Sequence, residues 1–573
     1  MLVAMPLLGW LVSEALKAGG LVGIDMGHIV GVFRSPASLA LFATVLALSY
    51  VLVLAQLLLL GVTVRRTRSG EGLRLRAVLG ELLGTARKFL RPGSLGLLPY
   101  LLILLPLAGF GFFSLLTSTI AVPEFISGEL KKSTGGIIGY SIFLIVAFVL
   151  VLRFALTIPV FLTARVSGAK ASRVSWRLTR RTQFSLALAV LALVVTVTAA
   201  GALLLAVCVA PTALTDAIAS EASSWAATVG ITVAITLGTV ISGSAVVVLV
   251  AILFECLERS LQRTPSLTLD FESPISESQS KTARRPRSAI IAGAVLVGIA
   301  AGSGALAAPL MFQLSQHPDT LVLAHRGFSE LGVENTISGL DGAKTAGSDL
   351  VEMDVMQTSD GGFVVFHDST LSRLAELDVS LADLTLEEAT KIELHDQQGH
   401  RDLIPSLAEY LAHAQQIGQK LLVEVKLHGG ETDDFLERLV AEMEASGVLE
   451  DHIYHSLDAP TVEQLKRMRP GLTVGYTMAF AGTALPVTTA DFVVVEEWSY
   501  SSELTAEAHR SGLGMFVWTV NDENKIRQLL RDDVDGIITD YPDLAISARE
   551  QIVADRGLAP LLIDTILRFV TLL

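Results

Sequence analysis

Apolar and polar positions divide the chain into two regimes that meet near residue 312. Before that point, six stretches are apolar and long enough to cross a bilayer, each exceeding the ~20 residues a spanning helix needs. They run over about 37–64, 94–122, 136–162, 184–210, 224–254 and 288–311, and Arg153 is the exception to a near absence of ionisable residues within them. The first 17 residues are apolar but interrupted by Glu14 and Lys17. That pattern fits an interfacial helix, a seventh span or a signal-like start, and no small-residue cleavage site follows it convincingly.

From residue 318 the period changes to short β-branched runs alternating with amphipathic stretches. The pattern predicts strands at 321–324, 350–355, 421–426, 453–457, 472–477, 491–496, 514–520 and 536–540. Helical spacing fills most of the gaps, at 335–346, 405–417, 431–446, 460–468, 502–511 and 522–531. Eight strands with intervening helices predict a parallel (β/α)8 barrel. The run Phe363–Phe366 follows its predecessor too closely for a helical crossover. Asp360-Gly361-Gly362 is turn chemistry, so that run is expected as a hairpin partner or irregular strand. The expected organisation is a helical membrane domain over 1–311, an α/β TIM-barrel domain over 318–548 and an apolar tail over 549–573. The stretch 558–573 is suited to packing on the barrel or touching lipid.

Composition agrees with two domains of different kinds. The chain has 573 residues, 51% of them hydrophobic, and a mean hydropathy of +0.56, too apolar for a soluble protein. Residues 1–311 carry 25 Lys and Arg against 13 Asp and Glu, whereas 312–573 carry 18 against 44. An acidic soluble half argues against nucleic acid as a partner, because a phosphate backbone needs a basic surface, while a local basic pocket for one phosphate stays compatible with it. Neither cysteine, Cys208 or Cys256, lies in that half, so it has no disulfide and no thiolate-held zinc.

Charge also orients the spans. Segments 65–93, 163–183 and 255–287 are rich in arginine and lysine, and the intervening 123–135 and 211–223 show little or no basic excess. Under the positive-inside rule the alternation makes a multi-pass protein of the plasma membrane, with residue 312 onward outside the cytoplasm. Scattered glycines such as Gly230, Gly238 and Gly243 suit close helix packing. Anchoring is therefore favoured over translocation, which would call for ionisable groups near the midplane.

Candidate chemistry collects at predicted strand ends, where barrel enzymes carry their sites. Glu352 and Asp354, two apart on one strand, face the same way, and Glu424 ends the next barrel strand. Three carboxylates without a thiolate make a hard-oxygen site suited to one divalent cation, Ca²⁺ or Mg²⁺. Alone, such acids would merely solvate a rim. His325 and His367 are the natural acid and base, since imidazole titrates near working pH, and the sequence leaves open which is which. Arg326 and Lys426 are suited to neutralising phosphoryl oxygens, or to salt bridges with the acids, or to both. Glu334-Asn335-Thr336 opens a helix and either caps it or serves the site. Trp518 ends a strand, as core or as a wall against a substrate backbone.

In order and spacing these pieces resemble the glycerophosphodiester phosphodiesterase family over about 318–548. The matching segments are His325-Arg326-Gly327, Glu334-Asn335-Thr336, Glu352-Met-Asp354-Val355, Thr358-Ser-Asp360-Gly361, His367-Asp368, Ile404-Pro-Ser-Leu407, Glu424-Val-Lys426, Trp518-Thr-Val-Asn521 and Thr539-Asp540. The six-span half is similar, by topology and order, to the membrane domain of some bacterial members. The resemblance implies a metal-dependent barrel with ligands at Glu352, Asp354 and Glu424 and acid/base histidines at 325 and 367. It implies hydrolysis of glycerophosphodiesters to glycerol 3-phosphate and an alcohol, by water or by the substrate's own hydroxyl, and the loop charges put that reaction at the outer membrane face. Two departures bear on substrate shape: Leu-Ala-Glu-Leu after Arg373, and Ser456-Leu457 where the family has Ser-Phe. A glycerophosphate-containing envelope polymer or a lysophospholipid is the alternative substrate. A transporter or sensor with a phosphodiester-binding barrel is the alternative of another class. Protein partners and oligomeric state are not readable from the chain.

Overall fold

The structure, a computed structural model, describes residues 4–18, 23–24, 35–68, 75–89, 133–265, 308–481 and 485–572, with isolated positions between them. It divides into two compact units. One comprises 47–122, 138–313 and 556–573; the other comprises 1–46, 123–137 and 314–555.

Among the described residues, three helices are long and apolar enough to cross a membrane: Thr134–Thr163, Gln183–Ile218 and Ser220–Gln262. They fall on three of the expected spans. Helix Pro36–Arg68 covers the expected 37–64, and Ala4–Ala18 covers most of the first 17 residues. Most of the expected spans 94–122 and 288–311 lies outside the described residues. Basic ends are tied by ion pairs: Arg68 binds Glu255 at 2.7 Å and Glu258 at 2.9 Å, and Arg66 binds Glu81 at 3.0 Å.

Arg153 is also accounted for. Its guanidinium lies 4.3 Å from the centre of the Trp176 ring. Its carbonyl accepts hydrogen bonds from Ser175 at 2.9 Å and Thr179 at 3.0 Å. These are packing roles. Helices Gln183–Ile218 and Ser220–Gln262 form a tight hairpin through Ala219. Gly230 permits the close approach, since a Cβ there would stand 2.7 Å from the Cys208 carbonyl oxygen. The last helix, Ala559–Leu572, packs on both arms of the hairpin. Asp216 accepts from the Leu558 and Ala559 backbone N–H groups, both at 2.8 Å, so the apolar C-terminal stretch has a partner inside this unit.

The second unit is a closed barrel. Its eight parallel strands are β1 (Leu321–Ala324), β2 (Leu350–Gln357), β3 (Lys420–Val425), β4 (Ile453–Ser456), β5 (Val474–Met478), β6 (Phe492–Glu496), β7 (Gly514–Trp518) and β8 (Gly536–Thr539). They pair in sequence order, and β8 closes onto β1. Each agrees with a predicted strand to within a few residues. Phe363–Val365 runs antiparallel along the end of β2, with Val355 opposite Val365, so it is the expected hairpin partner and adds no strand to the barrel.

Alternation along each strand separates two cores. Odd positions of β1 and even positions of β2 and β3 turn inward, where Leu323, Leu350, Leu422, Phe492, Val494, Phe516 and Ile538 fill the lumen. The intervening residues, among them Ala324, Val351, Met353, Val423 and Val425, pack outward against the helices. Followed two residues further, the inward register leads from Leu323 to His325, and from Leu350 to Glu352 and Asp354. On the later strands it leads from Leu422 to Glu424 and Lys426, from Ile453 to His455, and from Val494 to Glu496. The last two steps lead from Phe516 to Trp518 and from Ile538 to Asp540. Polar chemistry is thus the upper layer of the same lumen whose lower layers are apolar.

Candidate active site

At the carboxyl end of β1 the chain turns sharply through Arg326, at φ 58°, and Gly327, at φ 92°. A side chain at Gly327 would place a Cβ 2.7 Å from the Gly339 backbone, so only glycine fits. The turn drives the Arg326 N–H onto Glu352 Oε2 at 2.9 Å. His325 leaves the same strand end with Nδ1 2.7 Å from Asp540 Oδ1. Asp540 is itself held by Asn521, whose amide nitrogen donates to Oδ2 at 2.7 Å and whose oxygen accepts from the Asp540 N–H at 2.9 Å. The Trp518–Asn521 and Thr539-Asp540 segments therefore converge on one histidine.

His367 has an equivalent support, with Nδ1 2.8 Å from Asp368 Oδ1. The other Asp368 oxygen takes Arg373 Nε at 2.7 Å, and the Arg373 guanidinium reaches Glu334 at 2.6 and 2.8 Å. Glu334 in turn accepts from Arg326 at 3.1 Å. Burial would push the Asp368 carboxyl up, but hydrogen bonds from His367 and Arg373 outweigh it and hold the group down to about 2.

Asp354 is fully buried and strongly engaged. Lys426 Nζ lies at 3.1 Å, Asn335 Nδ2 donates at 2.8 Å, and Arg326 Nε stands 3.4 Å away. Burial opposes its ionisation, yet Lys426, His367, Arg326 and the Asn335 hydrogen bond together keep it well below the usual carboxylate range. Asn335 also accepts the Asp354 N–H at 3.1 Å, so it acts by positioning that carboxylate. The acids Glu334, Asp354 and Asp368 balance the cations Arg326, Arg373 and Lys426, leaving Glu352 and Glu424 over.

Among the described residues, one group of His, Cys, Asp and Glu side chains is spaced to hold a metal: Glu352, Glu424 and His455, with ligand atoms all within 4.8 Å of one another. Glu424 Oε1 and His455 Nε2 are buried and make no hydrogen bond. Orphaned buried acceptors around a negative centre are what a cation would satisfy, so the donor set fits a divalent ion. Of the three acids expected to bind metal, the structure brings Glu352 and Glu424 together and surrounds Asp354 with cations. His455 was absent from the sequence expectations, although alternation from Ile453 points to it. Trp518 packs on the lumen cluster and pairs in register with Glu496, a buried inward acid that strand parity also exposes. Burial pushes the Glu496 carboxyl up to about 8.

Comparison with known proteins agrees with this architecture. Residues 325–544 match the glycerophosphoryl diester phosphodiesterase family, and residues 1–303 match the membrane domain of glycerophosphoryl diester phosphodiesterase. A glycerophosphodiester phosphodiesterase of Caldanaerobacter subterraneus subsp. tengcongensis is 30% identical over 244 residues, covering 40% of this chain and 97% of that protein. One from Bacillus altitudinis is 25% identical over 254 residues, covering 40% and 99%. Among solved structures, an Oleispira antarctica phosphodiesterase in complex with the product sn-glycerol-3-phosphate is 24% identical, covering 40% of this chain and 96% of its own, with a TM-score of 0.37. With both of its regions matched, the chain belongs to the glycerophosphodiester phosphodiesterase family of hydrolases, in the form that carries a membrane domain ahead of the barrel.

Proposed function

We propose that the barrel hydrolyses glycerophosphodiesters to glycerol 3-phosphate and an alcohol, in a divalent-cation-dependent reaction at the outer membrane face. The observation that carries this is the pair of histidines, each with Nδ1 on its own carboxylate, beside the buried Glu352 and Glu424. An imidazole held this way keeps Nε2 for proton transfer. One histidine takes the proton from the attacking oxygen, of water or of the neighbouring glycerol hydroxyl; in the second case a cyclic glycerol phosphate forms first, and water then opens it to glycerol 3-phosphate. The other delivers a proton to the leaving oxygen as the phosphorus–oxygen bond to the alcohol breaks. Lys426, the more open of the two cations, and Arg326 offset charge gathering on the phosphoryl oxygens. Glu352 and Glu424, with Asp354 behind them, are the residues that would hold Ca²⁺ or Mg²⁺. When bound, the cation supplies charge for the phosphate and acidifies the nucleophile. Glu334 and Asn335 position this machinery, and Trp518 offers a wall for the glycerol backbone.

Sidedness is supported by the basic segments 65–93, 163–183 and 255–287 alternating with 123–135 and 211–223. Leu558 and Ala559 are bonded to Asp216 within 211–223, the side that lacks basic excess. A membrane-tethered site suits substrates at the envelope surface, such as a lysophospholipid or a glycerophosphate polymer. The test uses the full chain in detergent, measuring glycerol 3-phosphate release from glycerophosphocholine with EDTA and then with Ca²⁺ or Mg²⁺ restored. Release that EDTA abolishes and cation restores is expected; release unaffected by EDTA would overturn the metal dependence.

A further inference from the structure

Resting on the metal dependence proposed above, a finer assignment follows from β4. His455 sits at its inward position, Cα-paired with Glu424 on β3 and with Gly475 on β5. Only 3% of the residue is exposed. Its Nδ1 is 2.7 Å from Thr477 Oγ1, the inward residue of the next strand. If the hydroxyl accepts from Nδ1–H, the Nε2 atom presents a lone pair. That atom faces Glu352 Oε1 at 3.8 Å, too long for a hydrogen bond and compatible with two donors sharing one ion. Neither Nε2 nor Glu424 Oε1 has a hydrogen-bond partner, and both are buried. A buried imidazole nitrogen and a buried carboxylate oxygen left without partners in the same spot would each cost stability unless something occupies the space between them.

We propose that His455 binds the divalent cation directly through Nε2, together with Glu352 and Glu424, and that Thr477 fixes the tautomer that makes it a ligand. Two carboxylates and an imidazole form a mixed oxygen–nitrogen set. Ca²⁺ and Mg²⁺ favour oxygen donors, whereas imidazole gains affinity along the first-row transition series. The site would thus favour Mn²⁺ over Ca²⁺ more than an all-carboxylate site does. The hydroxyl behind the ring is the kind of outer partner whose loss typically weakens metal affinity 10–100-fold.

The test is direct detection of nitrogen on the metal, without turnover. Untagged full-length protein in detergent is titrated with Mn²⁺ by electron paramagnetic resonance, and the bound ion is examined for ¹⁴N coupling by spin-echo modulation. Ca²⁺ affinity is measured by competition. The expected result is ¹⁴N coupling in the wild type, lost in His455→Gln, with Mn²⁺ binding weakened at least tenfold and Ca²⁺ binding changed much less. Thr477→Val, which keeps the ring and the volume, is expected to weaken Mn²⁺ binding about tenfold. Circular dichroism without metal verifies that each variant folds; if His455→Gln does not, Thr477→Val decides. Mn²⁺ bound without ¹⁴N coupling, or bound equally by wild type and both variants, would overturn the assignment while leaving the metal dependence intact. A wild type that takes up neither ion would overturn both.

Discussion

His325 and Asp540, which are 215 positions apart in sequence, meet at 2.7 Å across the seam where β8 closes onto β1. Asn521, from beyond the end of β7, grips the same carboxylate by a donor and an acceptor bond. The support of one proposed proton-transfer group therefore depends on barrel closure. Asp540→Asn and Asn521→Ala are expected to lower kcat by about 10²-fold, within the usual range for a misoriented acid or base. KM should move little, because neither side chain is assigned to substrate. Steady-state release of glycerol 3-phosphate separates the two parameters. A change confined to KM would mean that these residues bind substrate instead.

Asp368 ties His367 to the Arg373–Glu334 pair, and its folded-state value of about 2 lies below that of a free aspartate. A depressed carboxyl contributes stability above its unfolded value, and that contribution disappears as pH falls through the folded one. The window is thus about pH 4 down to 2, and the linkage is worth on the order of 2 kcal/mol. Asp368→Asn should flatten the decline of Tm across that window relative to wild type. Parallel Tm curves for the two proteins would show that the network does not couple to protons.

Glu496 has the opposite sign. Burial raises its carboxyl to about 8, against the opposing backbone hydrogen bonds from Trp498, at 2.8 Å, and from Ser499. The folded state then holds this proton more tightly than the unfolded chain does. Stability falls as pH rises from the ordinary carboxylate range through 8. Glu496→Gln, a neutral mimic, should leave Tm nearly unchanged at pH 5 and raise it by several degrees at pH 9. An equal effect at both values would rule out a titrating role.

Sidedness can be read with single cysteines in a chain whose Cys208 and Cys256 are replaced. Gln398 is exposed on a barrel loop and Arg177 is exposed on the helix Gly168–Thr179. In intact cells an impermeant maleimide should label Gln398→Cys and spare Arg177→Cys until the membrane is permeabilised. The reverse pattern would invert the proposed topology.

Most of the barrel was legible in the chain because two signals reinforce each other in it. Runs such as Leu321–Ala324 and Phe492–Glu496 are short and mostly apolar, and amphipathic stretches of helical period separate them. The site was legible where a motif combined several charged residues, as in His325-Arg326 or Glu352-Met-Asp354. His455 and Glu496 escaped because each is a single polar residue ending an apolar strand, and their meaning comes from neighbours on adjacent strands. Asp354 was read as one acid among three. Its surroundings of Lys426, Asn335 and Arg326 arise from residues distributed over about a hundred positions, and no local pattern reports them.

The bond between Asp216 and the start of helix Ala559–Leu572 has a consequence for biosynthesis. A ribosome finishes the helical hairpin long before it reaches residue 559, with the whole barrel in between. The hairpin must wait, with the groove beside Gly230 unfilled by Leu562, until about three hundred further residues have been made. Completion of the packing around the hairpin therefore comes after synthesis of the barrel sequence.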